Sequence, residues 1–188
     1  MNQLSRTAIE VVFAAACLLL PLSAVNAAPL RFDASNSTLV FTGSYEGEPV
    51  PGEFTRFDGE FTLDPSQPLA LGFTVEIDIA SLDTQYDERD DVLRSAEWFD
   101  AAGHPSARWV SKGACTAAGA ALSCPGQLSL RGVTRPVAIT VSLADGGKTI
   151  RGNVQIDRRQ FGVGSGEWDD PATIADQVQV EFELKPAS

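Results

Sequence analysis

Between Leu69 and Ile79 the chain reads LALGFTVEIDI, and every second residue is large and apolar: Leu69, Leu71, Phe73, Val75, Ile77 and Ile79. Small or polar residues fill the places between. A two-residue period predicts a β-strand with one dry face and one wet face. The same period recurs in STLVFTG (Ser37 to Gly43), at Val137, Ile139, Val141 and Leu143, at Ile150, Val154 and Ile156, and at Val178, Val180, Phe182 and Leu184. EFTRF and GEFTLD surround an Asp58-Gly59 turn signal, SYEGEPVPG (Ser44 to Gly52) reads as turn-rich, and ARWVSK and QLSLRG flank a hairpin that carries two cysteines. The pattern predicts about eight strands joined mostly by short turns.

One region departs from this. In DERDDVLRSAEWFDAAGHP (Asp87 to Pro105), Val92, Leu93, Ala96, Trp98 and Phe99 have helix-like spacing, and Pro105 ends the run. One or two short helices in the 87–104 region cannot cover such a sheet, so its dry face must fold against itself as a sandwich or a barrel. Hairpin-joined strands in succession favour an all-β, eight-stranded antiparallel up-and-down barrel, which also removes sticky edges. Such a barrel is wide enough either to fill its centre with side chains or to hold a slender ligand, in a lumen roughly 25 Å tall. Periodicity does not separate those two outcomes. The lumen candidates are Phe41, Phe73, Val75, Ile77, Val137, Ile139, Val154, Ile156, Val180 and Phe182, as ligand contacts or as packing residues.

The start of the chain changes the compartment. Arg6 precedes an apolar run, VVFAAACLLLPL, that is too short to span a bilayer, and VNA supplies small residues before a cut after Ala27, with Ala28 the alternative. The expectation is a cleaved secretion signal over 1–27, delivery to the periplasm, and one soluble domain over 28–188. A retained anchor, or lipidation at Cys17, is the lesser reading, because the apolar run continues past Cys17. The net charge of −11 argues against nucleic acid or anionic membrane bound through basic patches.

Cys115 and Cys124 lie in CTAAGAALSC. A two-residue turn at Gly119-Ala120 places them directly opposite each other as a non-hydrogen-bonded pair, with Cα atoms about 4.5 Å apart. A structural disulfide fits an exported chain; a metal or redox pair does not, since there is no C-x-x-C and His104 is the only histidine.

Longer motifs add a resemblance. IASLDTQYDERDDVLRSAEWFDAAGHPSARWVS carries Ser81, Thr84, Arg89, Asp90, Leu93, Arg94, Trp98, Phe99, Pro105 and Ser111 in order. GQLSLRGVTRPVAITV supplies Gly126, Leu128, Leu130, Gly132 to Val137, and IDRRQFGVG supplies Asp157, Arg158, Phe161 and Gly162. This series resembles the YceI-like family of exported, lipocalin-like lipid-binding proteins. The resemblance implies a β-barrel whose apolar lumen binds an isoprenoid, either a polyprenyl phosphate or an isoprenoid quinone, with no other cofactor. Many relatives have a His soon after the strand matching LVFTG. Here SYEGEPVPGEF follows instead, so the headgroup is the least transferable part.

Smaller signals carry two readings each. FGVGSGEW (Phe161 to Trp168) is a phosphate cradle or an ordinary loop, and the ordinary loop is favoured because no nucleotide motif or clear helix accompanies it. Asp83, Asp87, Glu88, Asp90 and Asp91 lack a calcium-loop arrangement and read as a solvated helix start. Arg89 and Arg158 pair with a ligand phosphate or form buried ion pairs. Trp98, Phe99, Trp109, Phe161 and Trp168 line a lipid tail or plug the barrel. The leading expectation is an isoprenoid carrier or store with no catalytic residue and no metal. An enzyme would need His104 without a G-x-S-x-G elbow. The third reading is a ligand-free interaction module, a partner of a quinone-using membrane electron-transfer protein; the oligomeric state is open, a homodimer included.

Overall fold

The structure is a computed structural model that describes residues 29–64 and 66–187. The expected secretion signal lies outside the described residues. Among the described residues the fold is all-β: two antiparallel sheets and one α-helix, α1 (Asp87–Arg94).

The expected eight strands are present as eight stretches, most of them broken at a corner where the chain passes between sheets. β1 (Leu30–Asp33) and β2 (Thr38–Tyr45) form the first, β3 (Glu48–Phe54) and β4 (Phe57–Thr62) the second, and β5 (Gly72–Asp78) and β6 (Leu82–Asp83) the third. β7 (Ser106–Ser111) and β8 (Thr116–Ala118), β9 (Ala121–Cys124) and β10 (Gly126–Leu130), and β11 (Val133–Pro136) and β12 (Ile139–Ala144) follow. β13 (Thr149–Asp157) and β14 (Gln177–Leu184) are unbroken. The six-stranded sheet has the order β1-β4-β5-β7-β10-β11, and the eight-stranded sheet β6-β3-β2-β14-β13-β12-β9-β8. Each stretch therefore pairs with the next, and β14 pairs with β2 of the first stretch. The eight stretches are divided between two sheets rather than forming one, because the chain bends at corners such as Thr55-Arg56 and Pro125. Buried Ser81 ties two of these corners: its carbonyl accepts from Thr55 N–H at 3.1 Å and its Oγ from Arg56 N–H at 3.0 Å.

Several local expectations are corrected. Asp58-Gly59 is not a turn; it lies within β4, where Gly59 pairs with Phe32 of β1. The Phe32 ring needs that space, since a Cβ at Gly59 would lie 2.5 Å from its Cζ. SYEGEPVPG, read as turn-rich, has a single turn and is otherwise strand, the β2–β3 hairpin. Glu46 and Gly47, both at positive φ, make its two-residue turn, and β3 follows with Pro49 and Pro51 where no strand pairs on its outer side. β5 starts at Gly72, so Leu69 leaves the strand pattern and is exposed. α1 ends at Arg94, and Trp98 and Phe99 sit on the turns after it.

The cysteine hairpin forms as expected. Ala118 pairs with Ala121 across Gly119-Ala120, and Cys115 is bonded to Cys124 with Cα atoms 4.1 Å apart.

Candidate functional site

The two inner faces enclose a space that is full at one end and open at the other. Along β5 the inward side chains run Phe73, Val75, Ile77, and the series continues with Ile79 just past the strand; only the last two border a cavity. The same switch occurs on β7, where Ala107 borders it and Trp109 does not, and on β14, where Val178 and Val180 border it and Phe182 does not. Phe73 centres the filled end, which lies under the cavity as its floor, with its ring centroid 5.1 Å from Trp109, 5.9 Å from Phe182 and 6.2 Å from Phe32. Trp109 is fixed there by donating Nε1–H to the Val137 carbonyl at 3.0 Å.

Above that floor is a cavity of about 580 Å³ with an almost wholly apolar wall drawn from both sheets, α1 and the segment 163–175. This volume lies within the usual range for small-molecule sites. Seven of the fifteen residues singled out from sequence border it: Phe41, Ile77, Trp98, Phe99, Ile156, Trp168 and Val180. The other eight, Phe73, Val75, Trp109, Val137, Ile139, Val154, Phe161 and Phe182, pack in the filled part of the core or against it. Leu93, Leu128 and Leu130, which sequence offers only as motif positions, also form wall. The alternation in QLSLRG was the available signal for Leu128 and Leu130, and the helix-like spacing that for Leu93. Tyr45, Tyr86 and Val92 border the cavity yet remain exposed, and they mark its mouth between the β2–β3 hairpin and α1. Val92 belongs to the helix-like spacing of its region, but no periodicity announces the two tyrosines.

The motif residues build this wall. Asp90 is buried on α1 and accepts from the Thr84 N–H at 2.9 Å and Oγ–H at 2.6 Å, docking the helix against the end of β6. Arg89 donates Nε–H to Thr84 Oγ1 at 2.8 Å and Nη2–H to the Thr84 carbonyl at 2.7 Å, with its guanidinium over the Tyr86 ring. The acidic run thus opens and anchors a helix.

Arg158, at the end of β13, has a side chain only 3% exposed. It donates to five main-chain carbonyls: Ala175 at 3.1 Å, Val163 at 2.9 Å, Gly164 at 2.7 Å, Trp168 at 3.0 Å and Ile174 at 2.9 Å. A guanidinium has five N–H donors, so every one is used. Burial lowers its pKa from the ordinary arginine value, opposed by the Asp176 carboxylate. Trp98 lies beneath the guanidinium, 5.9 Å from ring centroid to Cζ. Arg158 is therefore the staple that holds segment 163–175 as cavity wall. FGVGSGEW is not a phosphate cradle, because it offers carbonyls to Arg158 while its N–H groups of Gly162, Val163 and Ser165 are bonded to carbonyls. A Cβ at Gly164 would lie 2.6 Å from Arg158 Nη1, and Gly164 has φ +69°, so glycine is required there on both counts.

His104 faces Asp100, with Nε2 3.7 Å from Oδ2, and does not border the cavity. Among the described residues, no three His, Cys, Asp or Glu side chains are grouped to hold a metal.

Comparison with known proteins agrees with this arrangement. A UPF0312 protein of Shewanella denitrificans is 35% identical over 176 residues, covering 92% of this chain and 87% of its own. A UPF0312 protein of Vibrio cholerae is 30% identical over 122 residues, and that match spans 61% of this chain but only 65% of the relative. Among solved structures, Burkholderia cenocepacia BcnA superposes with a TM-score of 0.78 at 30% identity, covering 83% of this chain and 99% of BcnA. A polyisoprenoid binding domain from Saccharophagus degradans shares the fold, with a TM-score of 0.63 at 18% identity over 84% of this chain and 98% of its own. The profile of the YceI-like domain matches residues 30–185, nearly all of the described structure, and the chain belongs to the YceI-like family.

Proposed function

We propose that the protein is a periplasmic carrier or store for an isoprenoid lipid, with the tail buried in the cavity and the headgroup at the mouth between the β2–β3 hairpin and α1. The observation that carries this reading is the apolar cavity itself, open at one end and floored by the Phe73 cluster. Each buried CH₂-sized unit is worth about 0.8 kcal/mol, so a few prenyl units reach useful affinity without a hydrogen bond. Phe41, Ile77, Trp98, Phe99 and Ile156 are the tail contacts. Supporting it further, the Saccharophagus degradans protein that shares the fold is described as a polyisoprenoid binding domain.

The ring of pairings, each stretch to the next and β14 back to β2, supports reading the two sheets as one lipocalin-like barrel bent at its corners. The lumen is the cavity, and the function needs no covalent chemistry. A ligand-free partner of a quinone-using membrane protein would have no use for an open lumen. The test is native purification from periplasm, organic extraction and mass spectrometry. A prenyl lipid at near-stoichiometric yield is expected; repeated absence, with no uptake of added quinone or prenyl phosphate, sinks the reading.

A further inference from the structure

We infer that the mouth selects an uncharged headgroup over a phosphorylated one, an inference that rests on the isoprenoid reading of the cavity. Phosphate recognition needs donors that are free to turn towards the anion. Two arginines border the cavity, Arg89 and Arg158. Arg158 has none to give, because its five N–H groups are held by five carbonyls. Arg89 is partly committed to Thr84 through Nε and Nη2. The nearby arginines are engaged as well. Arg94 pairs with Asp90 and Asp91 and donates to the Leu82 carbonyl, and Arg159 pairs with Asp169 and Asp176.

Against that one partly committed guanidinium stands an acidic collar. Glu46 follows Tyr45 in the hairpin turn, and Glu48 is the register partner of Tyr45. Asp87, Glu88 and Asp91 share α1 with Arg89 and Val92. All five carboxylates are exposed, and Glu88 borders the cavity. A phosphate dianion brought to this mouth meets carboxylates on both sides of it, next to an apolar lumen that does little to screen them. A carbonyl or hydroxyl oxygen does not. It can accept from the remaining N–H groups of Arg89 and from the Tyr45 and Tyr86 hydroxyls at the rim.

The experiment uses delipidated full chain and two probes with the same tail, geranylgeraniol and geranylgeranyl phosphate, with binding read by tryptophan fluorescence. The alcohol is expected to bind about tenfold more tightly at low salt, with the gap narrowing as salt screens the collar. The triple variant Glu46→Gln, Glu48→Gln, Asp87→Asn, at positions that do not border the cavity, should tighten phosphate binding several-fold and leave the salt-dependent gap smaller. Circular dichroism checks its fold. Equal or tighter binding of the phosphate by the unaltered protein overturns the inference, as does a folded triple variant with unchanged phosphate affinity. Binding of neither probe strikes the isoprenoid reading itself, and the headgroup inference with it.

Discussion

The Phe41 ring lies across Gly52, its register partner on the neighbouring strand β3; a Cβ at position 52 would sit 2.4 Å from the ring's Cζ. Three other aromatics use glycine in the same way. Phe32 covers Gly59, Phe182 covers Gly152, and Trp109 covers Gly126, where a Cβ would come within 2.0 Å of the indole. At the floor this lets large rings fill the core. At Gly52 it lays Phe41 against the wall and leaves the lumen free.

Gly52→Ala should therefore push the Phe41 ring into the cavity. The expected cost in stability is about 1–3 kcal/mol, as for other overpacked sites. Prenyl-lipid affinity should fall about tenfold, and Phe41→Leu in the same chain should restore part of it. Calorimetric titration of both variants checks this; a Gly52→Ala protein that binds as before would mean that Phe41 does not set the cavity's width.

The floor sets depth. Phe73 packs with Trp109, Phe182 and Phe32 in the filled end of the core, beyond the residues that border the cavity. Phe73→Ala should cost about 3–5 kcal/mol, the usual range for a buried Phe, and open space continuous with the lumen. Bound lipids recovered from the variant should shift to longer tails. The milder Phe73→Leu is the fallback should the first not fold, and the readout for either is the chain-length distribution by mass spectrometry. An unchanged distribution would show that depth is set elsewhere.

Arg158 is a structural requirement. Arg158→Met should leave five carbonyls of segment 163–175 without their donor, at a cost of about 3–5 kcal/mol. Segment 163–175 should then show faster hydrogen exchange than the floor strands β5 and β14, and lipid affinity should drop with it. Arg158→Lys should rescue only in part, since an ammonium has three donors for five acceptors. Equal protection of the segment in Arg158→Met and the parent would refute the staple.

How much of this was legible in the sequence follows from the physics of each feature. Period two fixes which way a side chain points, so Phe73, Val75, Ile77, Val180 and Phe182 were recognisable as inward. It says nothing about height along the barrel. Ile77 borders the cavity and Val75 does not, although both are β-branched and inward. That difference depends on what stands opposite: Trp109 is the register partner of Val75, and Ala107 that of Ile77. Register between residues 30 and 34 positions apart is not a local property. The glycines show the same limit, since Asp58-Gly59 has turn chemistry and only the Phe32 ring across β1 reveals why a glycine sits mid-strand.

Local chemistry was readable where partners lie close in sequence. The Cys115–Cys124 pairing followed from a turn of two residues, whereas α1 stops at Arg94, well before the Pro105 that the sequence offered as its end. Arg158 could be singled out by its motif, but its role could not. Its partners are carbonyls, which every residue has, so no side-chain pattern encodes them.

Acid should weaken the fold through three carboxylates held as anions. The Ser35 hydroxyl and N–H lower the pKa of Asp33, those of Ser66 that of Asp64, and Lys185 followed by Arg151 that of Glu183. A carboxyl whose pKa is lower folded than unfolded adds stability above its unfolded pKa and loses it as pH falls through the folded one. The denaturation midpoint should thus hold through neutral pH and decline once the carboxylate range is entered. These groups are exposed, so each effect is small and should shrink in high salt. The double variant Ser35→Ala, Ser66→Ala removes the bonded hydroxyls but keeps both carboxylates. Its midpoint should lie below the parent's at neutral pH and converge with it in acid. Parallel curves, with a constant offset from neutral to acid, would show that the serines act through packing and not by holding the anions.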